Sequence, residues 1–389
     1  MKPFDKFLGR MMDAARLAQN HDPHSATEVI QQALKDAGLL PPQPPSSGSP
    51  TDAELIDINE PSERLQKARN VDDGLPDKVQ RLLRALPRSR KQRAVVPDPR
   101  TPGEFLQASF TCSHGTRSYK LYVPSSPPSR PRPLIVMLHG CTQDADDFAL
   151  GTTMNVLAEQ RDCLVLYPVQ DRSANATLCW NWFDEAHQKR DSGEPALLAA
   201  MTRDVMARYH ADPDRVYVTG LSAGGAMAAV MGATYPDLYA AVGVHSGLPV
   251  GKARDLITGL AAMKKAPRGR KAAQVPHRIP VIVFHGNRDE VVHRDNGLAV
   301  LEQFVSHLPA AGGEPLQRRQ EHGANSDYTK TTVLDRAGSP VAEHWDLHGA
   351  GHAWSGGSAE GSYTETSGPN ASAEMLRFFL EQPKTAQKR

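Results

Sequence analysis

The chain has 389 residues, with 45 Lys and Arg against 44 Asp and Glu, so its formal net charge is +1. That balance gives no general reason to expect a nucleic-acid partner or an acidic membrane surface. The length suits one large α/β domain plus an extension, and the four cysteines leave room for one or two bridges, not a disulfide scaffold.

No apolar run approaches a membrane span, and the N-terminus lacks the apolar core of roughly 7–15 residues that marks a secretory signal. Residues 1–100 read as an extension with short helices. Phe4, Phe7, Leu8, Met11, Met12 and Ala15 recur at helical spacing, and Thr27–Ala37 makes a second short helix ending at Gly38. The first stripe reads foremost as a helix docked on the body or fraying. A weak contact with a polymer surface is its functional alternative. The Pro- and Ser-rich stretch 41–50 is a linker, because it has too little apolar surface to fold. Arg81–Arg93 holds six basic residues and no acid, which reads as a solvated face and not a nucleic-acid site.

From about residue 101 the pattern changes to strands alternating with helices. Gln107–Thr111 and Arg117–Val123 read as an antiparallel pair around His114-Gly115. Leu134–Leu138, Leu164–Tyr167, Arg215–Thr219, Ala240–Val244, Pro280–Phe284 and Val341–Leu347 follow as short apolar strands. Continuous apolar strands between helices imply a mostly parallel, eight-stranded sheet covered on both faces, over residues 101–382, with 383–389 as a disordered tail. Such sheets bind ligands beyond the carboxyl ends of their strands, so the residues just after each strand carry the chemistry.

The stretch Arg215–Met227 organises the rest. A β-branched strand runs into an Ala-, Met- and Gly-rich helix through Gly220-Leu221-Ser222-Ala223-Gly224, the nucleophile-elbow pattern. Such a turn strains its central residue and crowds its neighbours, which Gly220 and Gly224 accommodate. It exposes the Ser222 hydroxyl beside a helix N-terminus and aims the Ala223 N–H at the same space.

The other strand ends supply partners. His139-Gly140-Cys141-Thr142-Gln143 follows the first wholly apolar strand, where this architecture places a second oxyanion donor, the Cys141 N–H. His139 precedes the nucleophile in chain order and reads as a structural hydrogen bonder. After Pro280–Phe284 comes His285-Gly286-Asn287-Arg288-Asp289-Glu290, with Asp289 the favoured acid and Glu290 and Asp295 its competitors. After the last strand, the Gly-rich loop His348–Gly357 carries His352 back over the sheet edge. His348, on the strand end, reads as structural. The order Ser222, Asp289, His352 is that of α/β-hydrolases. His245, His285, His293 and His344 read as ordinary loop or surface histidines without metal-ligand spacing, so neither metal nor cofactor is expected.

Two features shape the surroundings. Cys179-Trp180-Asn181-Trp182-Phe183 reads equally as a buried aromatic cluster or a substrate wall. Lys252–Arg278 is long and basic and reads as an exposed insertion near the mouth of the site.

These motifs resemble the poly(3-hydroxybutyrate) depolymerase family of esterases, the short-chain-length polyhydroxyalkanoate type. The matching pieces are His139–Gln143, Tyr167-Pro168, Cys179–Phe183, Gly220–Met227, Phe284–Gly286 and Gly351–Gly357, within about residues 105–381. The resemblance implies an α/β-hydrolase fold and a Ser-His-Asp carboxylic ester hydrolase acting on short-chain hydroxyalkanoate polyester or its oligomers. Feruloyl and acetylxylan esterases are relatives and supply the alternative substrate class; a peptidase or a non-catalytic binding protein follows behind. Many members are secreted, so the resemblance points to an extracellular or periplasmic protein, with the cytoplasm as the alternative that the missing signal leaves. His139, Trp182 and Trp354 are the candidates for the substrate pocket. In this fold the strands before Cys141 and Cys179 are neighbours, so their loops lie side by side and a Cys141–Cys179 bridge is expected. Cys163 precedes its strand and belongs at the opposite edge.

Overall fold

The computed structural model describes residues 101–264, 275, 279–306 and 316–384. The expectations for residues 1–100, including the helical stripe, the linker and the basic run, lie outside these. So does most of the second half of the basic insertion.

Among the described residues one sheet has ten strands. They are β1 Glu104–Cys112, β2 Gly115–Val123, β3 Arg132–Leu138, β4 Leu164–Pro168, β5 Ala211–Leu221, β6 Ala241–His245, β7 Val281–Gly286, β8 Gln317–His322, β9 Tyr328–Leu334 and β10 Pro340–Leu347. Their spatial order is β1-β2-β4-β3-β5-β6-β7-β10-β9-β8. From β4 through β10 the neighbours run parallel, and β1, β2, β9 and β8 pair antiparallel at the two margins. This is the α/β-hydrolase arrangement, with ten strands instead of the expected eight. The addition is the hairpin β8–β9, whose first strand, Gln317–His322, is polar and exposed throughout and so has no apolar alternation to reveal it.

The seven α-helices are α1 Ala145–Thr152, α2 Met154–Arg161, α3 Gly193–Arg208, α4 Ala223–Thr234, α5 Leu256–Lys264, α6 Asp295–Val305 and α7 Ala371–Leu380 among the described residues. They divide between the two faces because successive strand side chains alternate. Leu134, Val136, Val216, Val218, Val242, Val244, Val281 and Val283 pack in one core with α3, α4 and α6. Ile135, Met137, Val165, Tyr217, Ile282 and Phe284 pack in the other with α1, α2 and α7. A sheet buried on both faces has no polar face to show, which is why its central strands read as unbroken apolar runs.

Two boundaries differ from expectation. Lys384 is still on the body, its N–H donating to the Asp214 carbonyl at 2.8 Å and its Nζ to the Asp237 carbonyl at 2.6 Å. Within the basic insertion, Leu256–Lys264 is a helix and not an exposed loop. Gly259 and Ala262 are buried, and a Cβ on Gly259 would stand 2.8 Å from the Phe183 Cβ.

Candidate active site

β5 is paired with β3 through Leu138↔Gly220, and the chain turns directly from β5 into α4 at Ser222. Ser222 sits at φ 57°, ψ −117°, a conformation costing about 1–3 kcal/mol for a residue with a side chain. A Cβ on Gly224 would overlap the Leu138 and His139 carbonyls, and one on Gly220 the Leu138 carbonyl and the Gly224 backbone. Only glycine lets strand and helix approach this closely. The Ser222 N–H donates to the His245 carbonyl on β6 at 2.9 Å, fastening the elbow to the next strand. Ala223 is the first residue of α4, so its N–H is among the four without an intrahelical acceptor.

Beyond β7, Asp289 has its side chain fully enclosed. Its Oδ1 accepts from the N–H groups of Val291 at 2.9 Å and Val292 at 2.8 Å, and its Oδ2 from His352 Nδ1 at 2.7 Å. Burial pushes this carboxyl up, but hydrogen bonds from His285, His352 and the Val292 backbone outweigh it and hold the group below the ordinary carboxylate range. With Nδ1 committed to Asp289, the His352 ring has Nε2 left for a substrate-side proton, and its side chain is 10% exposed. The competitors stand apart. Glu290 is exposed, and Asp295 begins α6, half-exposed, with its carboxylate 3.6 Å from His293.

His245 joins the two halves. Its carbonyl holds Ser222, and its Nε2 accepts the Ser355 N–H at 3.1 Å, pinning the loop that carries His352. The ring stacks between Trp354 and Phe284, with centroids 5.1 and 5.7 Å away, and burial pushes it down to about 3. The reading of His245 and His285 as ordinary loop or surface histidines is therefore corrected, since both rings are enclosed at the site. Each stands at the end of an apolar strand, which brings it into the sheet end where neighbouring strands and loops enclose it. His344 is likewise no surface group. It lies half-buried on β10 with its Nε2 sealed from water, and burial pushes it down to about 4. His293 is half-exposed, in keeping with a surface histidine. His348 donates through Nδ1 to the Ser326 carbonyl at 2.7 Å, a structural contact.

The loop after β3 is braced from several sides. Gly140 N–H donates to Gln143 Oε1 at 2.9 Å, and Gln143 Nε2 donates to Asp147 Oδ2 at 2.9 Å and the Ser362 carbonyl at 3.0 Å. Thr142 N–H reaches the Thr177 carbonyl at 2.8 Å, and a Cys141–Cys179 disulfide joins the same two loops. Cys163 is buried away from both as a free thiol, its ionisation pushed up to about 12 by burial, and Cys112 is free on β1. His139 donates through Nδ1 to the Gly140 carbonyl at 2.7 Å and accepts the Gln170 N–H at Nε2, 3.1 Å away.

Two pocket candidates fail on burial. His139 is 1% exposed and Trp354 0%, the latter donating from Nε1 to Ser372 Oγ at 3.0 Å inside the core. The large apolar ring of Trp354 is drawn inward by the hydrophobic effect, although its neighbour His352 reaches the surface. Trp182 is 7% exposed and stands edge-on to Phe183, facing α5. The C-terminal end of α5 docks on the acid loop, with Lys264 Nζ donating to the Glu290 carbonyl at 2.9 Å and His293 N–H to the Met263 carbonyl at 2.7 Å. A residue the sequence reading overlooked is Tyr363, half-exposed, whose hydroxyl lies 3.3 Å from Thr142 Oγ1. Among the described residues no group of three or more His, Cys, Asp or Glu is arranged to hold a metal ion.

Residues 117–312 match the family model described as esterase PHB depolymerase. Poly(3-hydroxyalkanoate) depolymerase C of Paucimonas lemoignei is 30% identical over 256 residues, 63% of this chain and 60% of that protein. The chain thus spans less than two thirds of that relative's length. Feruloyl esterase B of Neurospora crassa is 38% identical over 128 residues, 33% of this chain and 42% of that one. The solved acetyl xylan esterase from Aspergillus awamori superposes with a TM-score of 0.53 at 21% identity, covering 68% of this chain and 94% of that chain, which shows the shared fold. With a matched region of this extent around the elbow and the acid loop, the chain belongs to the esterase PHB depolymerase family.

Proposed function

We propose that the protein is a serine carboxylic ester hydrolase in which Ser222 is the nucleophile, His352 the general base and Asp289 the acid that orients it. The observation that carries this reading is the 2.7 Å bond from His352 Nδ1 to a buried Asp289, with a serine held on a strained strand-to-helix turn two strands away. Ser222 attacks the ester carbonyl as His352 Nε2 takes its proton. The N–H groups of Cys141 and Ala223 receive the oxyanion, each worth roughly 3 kcal/mol of barrier. His352 then protonates the leaving alcohol, and water repeats the cycle on the acyl-enzyme.

For substrate we infer short-chain 3-hydroxyalkanoate esters, as polymer or oligomer, because the depolymerase match is longer than the feruloyl esterase match. Aryl and acetyl esters of the plant cell wall are the second reading, favoured by the higher identity of that shorter stretch. The disulfide beside the oxyanion loop supports an oxidising compartment, outside the cell or in the periplasm. Among the described residues no helix is long and apolar enough to cross a membrane.

We also infer that residues 101–384 form the catalytic unit, with the first hundred residues outside the chemistry and their apolar stripe available for weak contact with a polymer. Turnover of 3-hydroxybutyrate oligomers against feruloyl and acetyl esters by the purified chain tests the substrate. A preference for the aryl ester would move the assignment to the second reading. A fluorophosphonate that failed to label Ser222 would overturn the mechanism.

A further inference from the structure

His285 sits at the end of β7, 1% exposed, and its Nε2 points at the acid. That nitrogen is 2.9 Å from the Val292 carbonyl and 3.4 Å from Asp289 Oδ2. A carbonyl only accepts, so Nε2 carries the proton and donates it to Val292, with Asp289 Oδ2 at ion-pair distance from the same N–H. The opposite nitrogen, Nδ1, is enclosed with no hydrogen-bond partner among the described residues. It faces Gly297 on α6, where an added Cβ would stand 2.9 Å away. The ring therefore acts through one N–H, and its direction is set by the strand below and the helix above.

We propose that His285 is a positioning residue for the reaction, a second imidazole on the carboxylate that orients His352. The proposal rests on the serine-esterase reading above. Oδ1 of Asp289 is fastened by two backbone N–H groups from its own loop. Oδ2 receives His352 on one side and has His285 on the other. His285 also ties the far end of that loop, at Val292, back to a rigid central strand. When His352 takes the serine proton, positive charge develops beside Oδ2, and the loop must not drift as the attraction grows. An N–H anchored on β7 fixes the loop at both ends and partly neutralises the carboxylate.

The charged and titratable groups around this pair come from every neighbouring element. His245 stands on β6, and His344 and Asp346 on β10, the latter registered opposite His285. Arg294 precedes α6 and donates to Asp346 Oδ2 at 3.2 Å, and His352 completes the set. None of them reaches both Asp289 and the Val292 carbonyl, as His285 does.

The test is the pH dependence of kcat/KM on a soluble ester for wild type, His285→Phe and His285→Gln. Phe fills the space without a donor, and Gln carries an amide N–H at similar reach. For His285→Phe, kcat falls roughly tenfold with little change in KM, since geometry at the reacting centre is lost and binding is not. Its acid limb moves to higher pH by roughly half a unit, because a carboxylate stripped of one donor holds a protonated His352 more tightly. His285→Gln recovers most of both. A merely structural role gives the opposite displacement: if the loop swings away, the Asp289 contact with His352 is lost and the acid limb moves to lower pH.

Melting curves and fluorophosphonate labelling check that each variant is folded. Should His285→Phe misfold, His285→Leu takes its place as the variant without a donor, with the same loss of kcat and the same shift of the acid limb expected, and His285→Gln again recovers most of both. A folded Phe or Leu variant with wild-type kcat and profile overturns the proposal. Failure of the esterase reading is distinct, since the wild-type chain itself would then neither turn over ester nor take the label.

Discussion

The Nε2 of His245 accepts the Ser355 N–H at 3.1 Å, while the carbonyl of the same residue accepts the Ser222 N–H at 2.9 Å. One residue at the end of β6 thereby sets the distance between the serine elbow and the loop bearing His352. His245→Phe keeps the stacking area but removes the acceptor, leaving a buried N–H unpaired. We expect a stability loss of about 1–3 kcal/mol in urea unfolding. Ester turnover should fall about tenfold or more as the His352 loop loosens. Stability and kcat both at wild-type values would remove His245 from this role.

Ser222→Ala removes the proposed nucleophile and relieves backbone strain only slightly. Turnover should drop on the order of 10⁶-fold with the melting temperature preserved. Asp289→Asn should cost about 10⁴-fold through loss of the right His352 tautomer. Glu290→Gln should change activity less than twofold, roughly the scatter expected of an exposed surface substitution. Steady-state kinetics on one soluble ester decides all three, and a crippled Glu290→Gln would move the acid there.

The Cys141–Cys179 bridge closes a sequence separation of 38 residues, worth about 4 kcal/mol by the chain-entropy account. It also braces the loop that holds Cys141, the proposed oxyanion donor. Replacing both cysteines by serine should lower stability by that order and reduce kcat more than it raises KM. Peptide mapping under non-reducing conditions, with melts before and after reduction, provides the check.

Acid should destabilise the fold before its carboxylates titrate. Burial pushes His245 down to about 3 and His344 to about 4, against an ordinary 6.5, and lowers His139 as well. The unfolded chain therefore binds protons that the native state refuses. The stabilisation is whole above about pH 6.5 and declines as pH falls from there towards 4, by up to about 1.4 kcal/mol per unit for each group. Asp289, held below its ordinary 3.8, adds stability above that value and loses it only at still lower pH. Urea midpoints at several pH values should fall steadily from 6.5 to 4.5. A flat profile would mean that these rings titrate in the folded protein.

Gly259 lets α5 lie against Phe183 and Trp182. Gly259→Val should push the helix off these two aromatic rings. We expect an altered KM for bulky aryl esters and an almost unchanged rate for acetyl esters, measured side by side.

Much of this was legible in the chain. Ser222 was readable because a strand, a Gly-x-Ser-x-Gly turn and a helix are contiguous and each dictates local backbone geometry. Asp289 and His352 were readable as the acid and base candidates because each follows an apolar strand whose end must open on the same edge. The central strands announced themselves by burial on both faces. By the same logic β8 stayed hidden, being polar on both faces, while the β-branched run Tyr328–Leu334 after a Gly- and Asn-containing turn was a signal left unread. What tertiary structure alone decided concerns residues whose meaning lies in distant neighbours. Trp354 and His139 look like pocket residues by position, yet lie wholly inside. His245 and His285 look ordinary by sequence, yet stand at the ends of adjacent strands where the elbow, the acid and the histidine loop meet. A local pattern encodes the backbone, because dihedral preference and alternation act over a few residues. Which side chain is enclosed, and which nitrogen meets which oxygen, depends on partners such as His352 for Asp289, 63 positions away, and Ser355 for His245, 110 positions away, or on a turn folding back on its own strand.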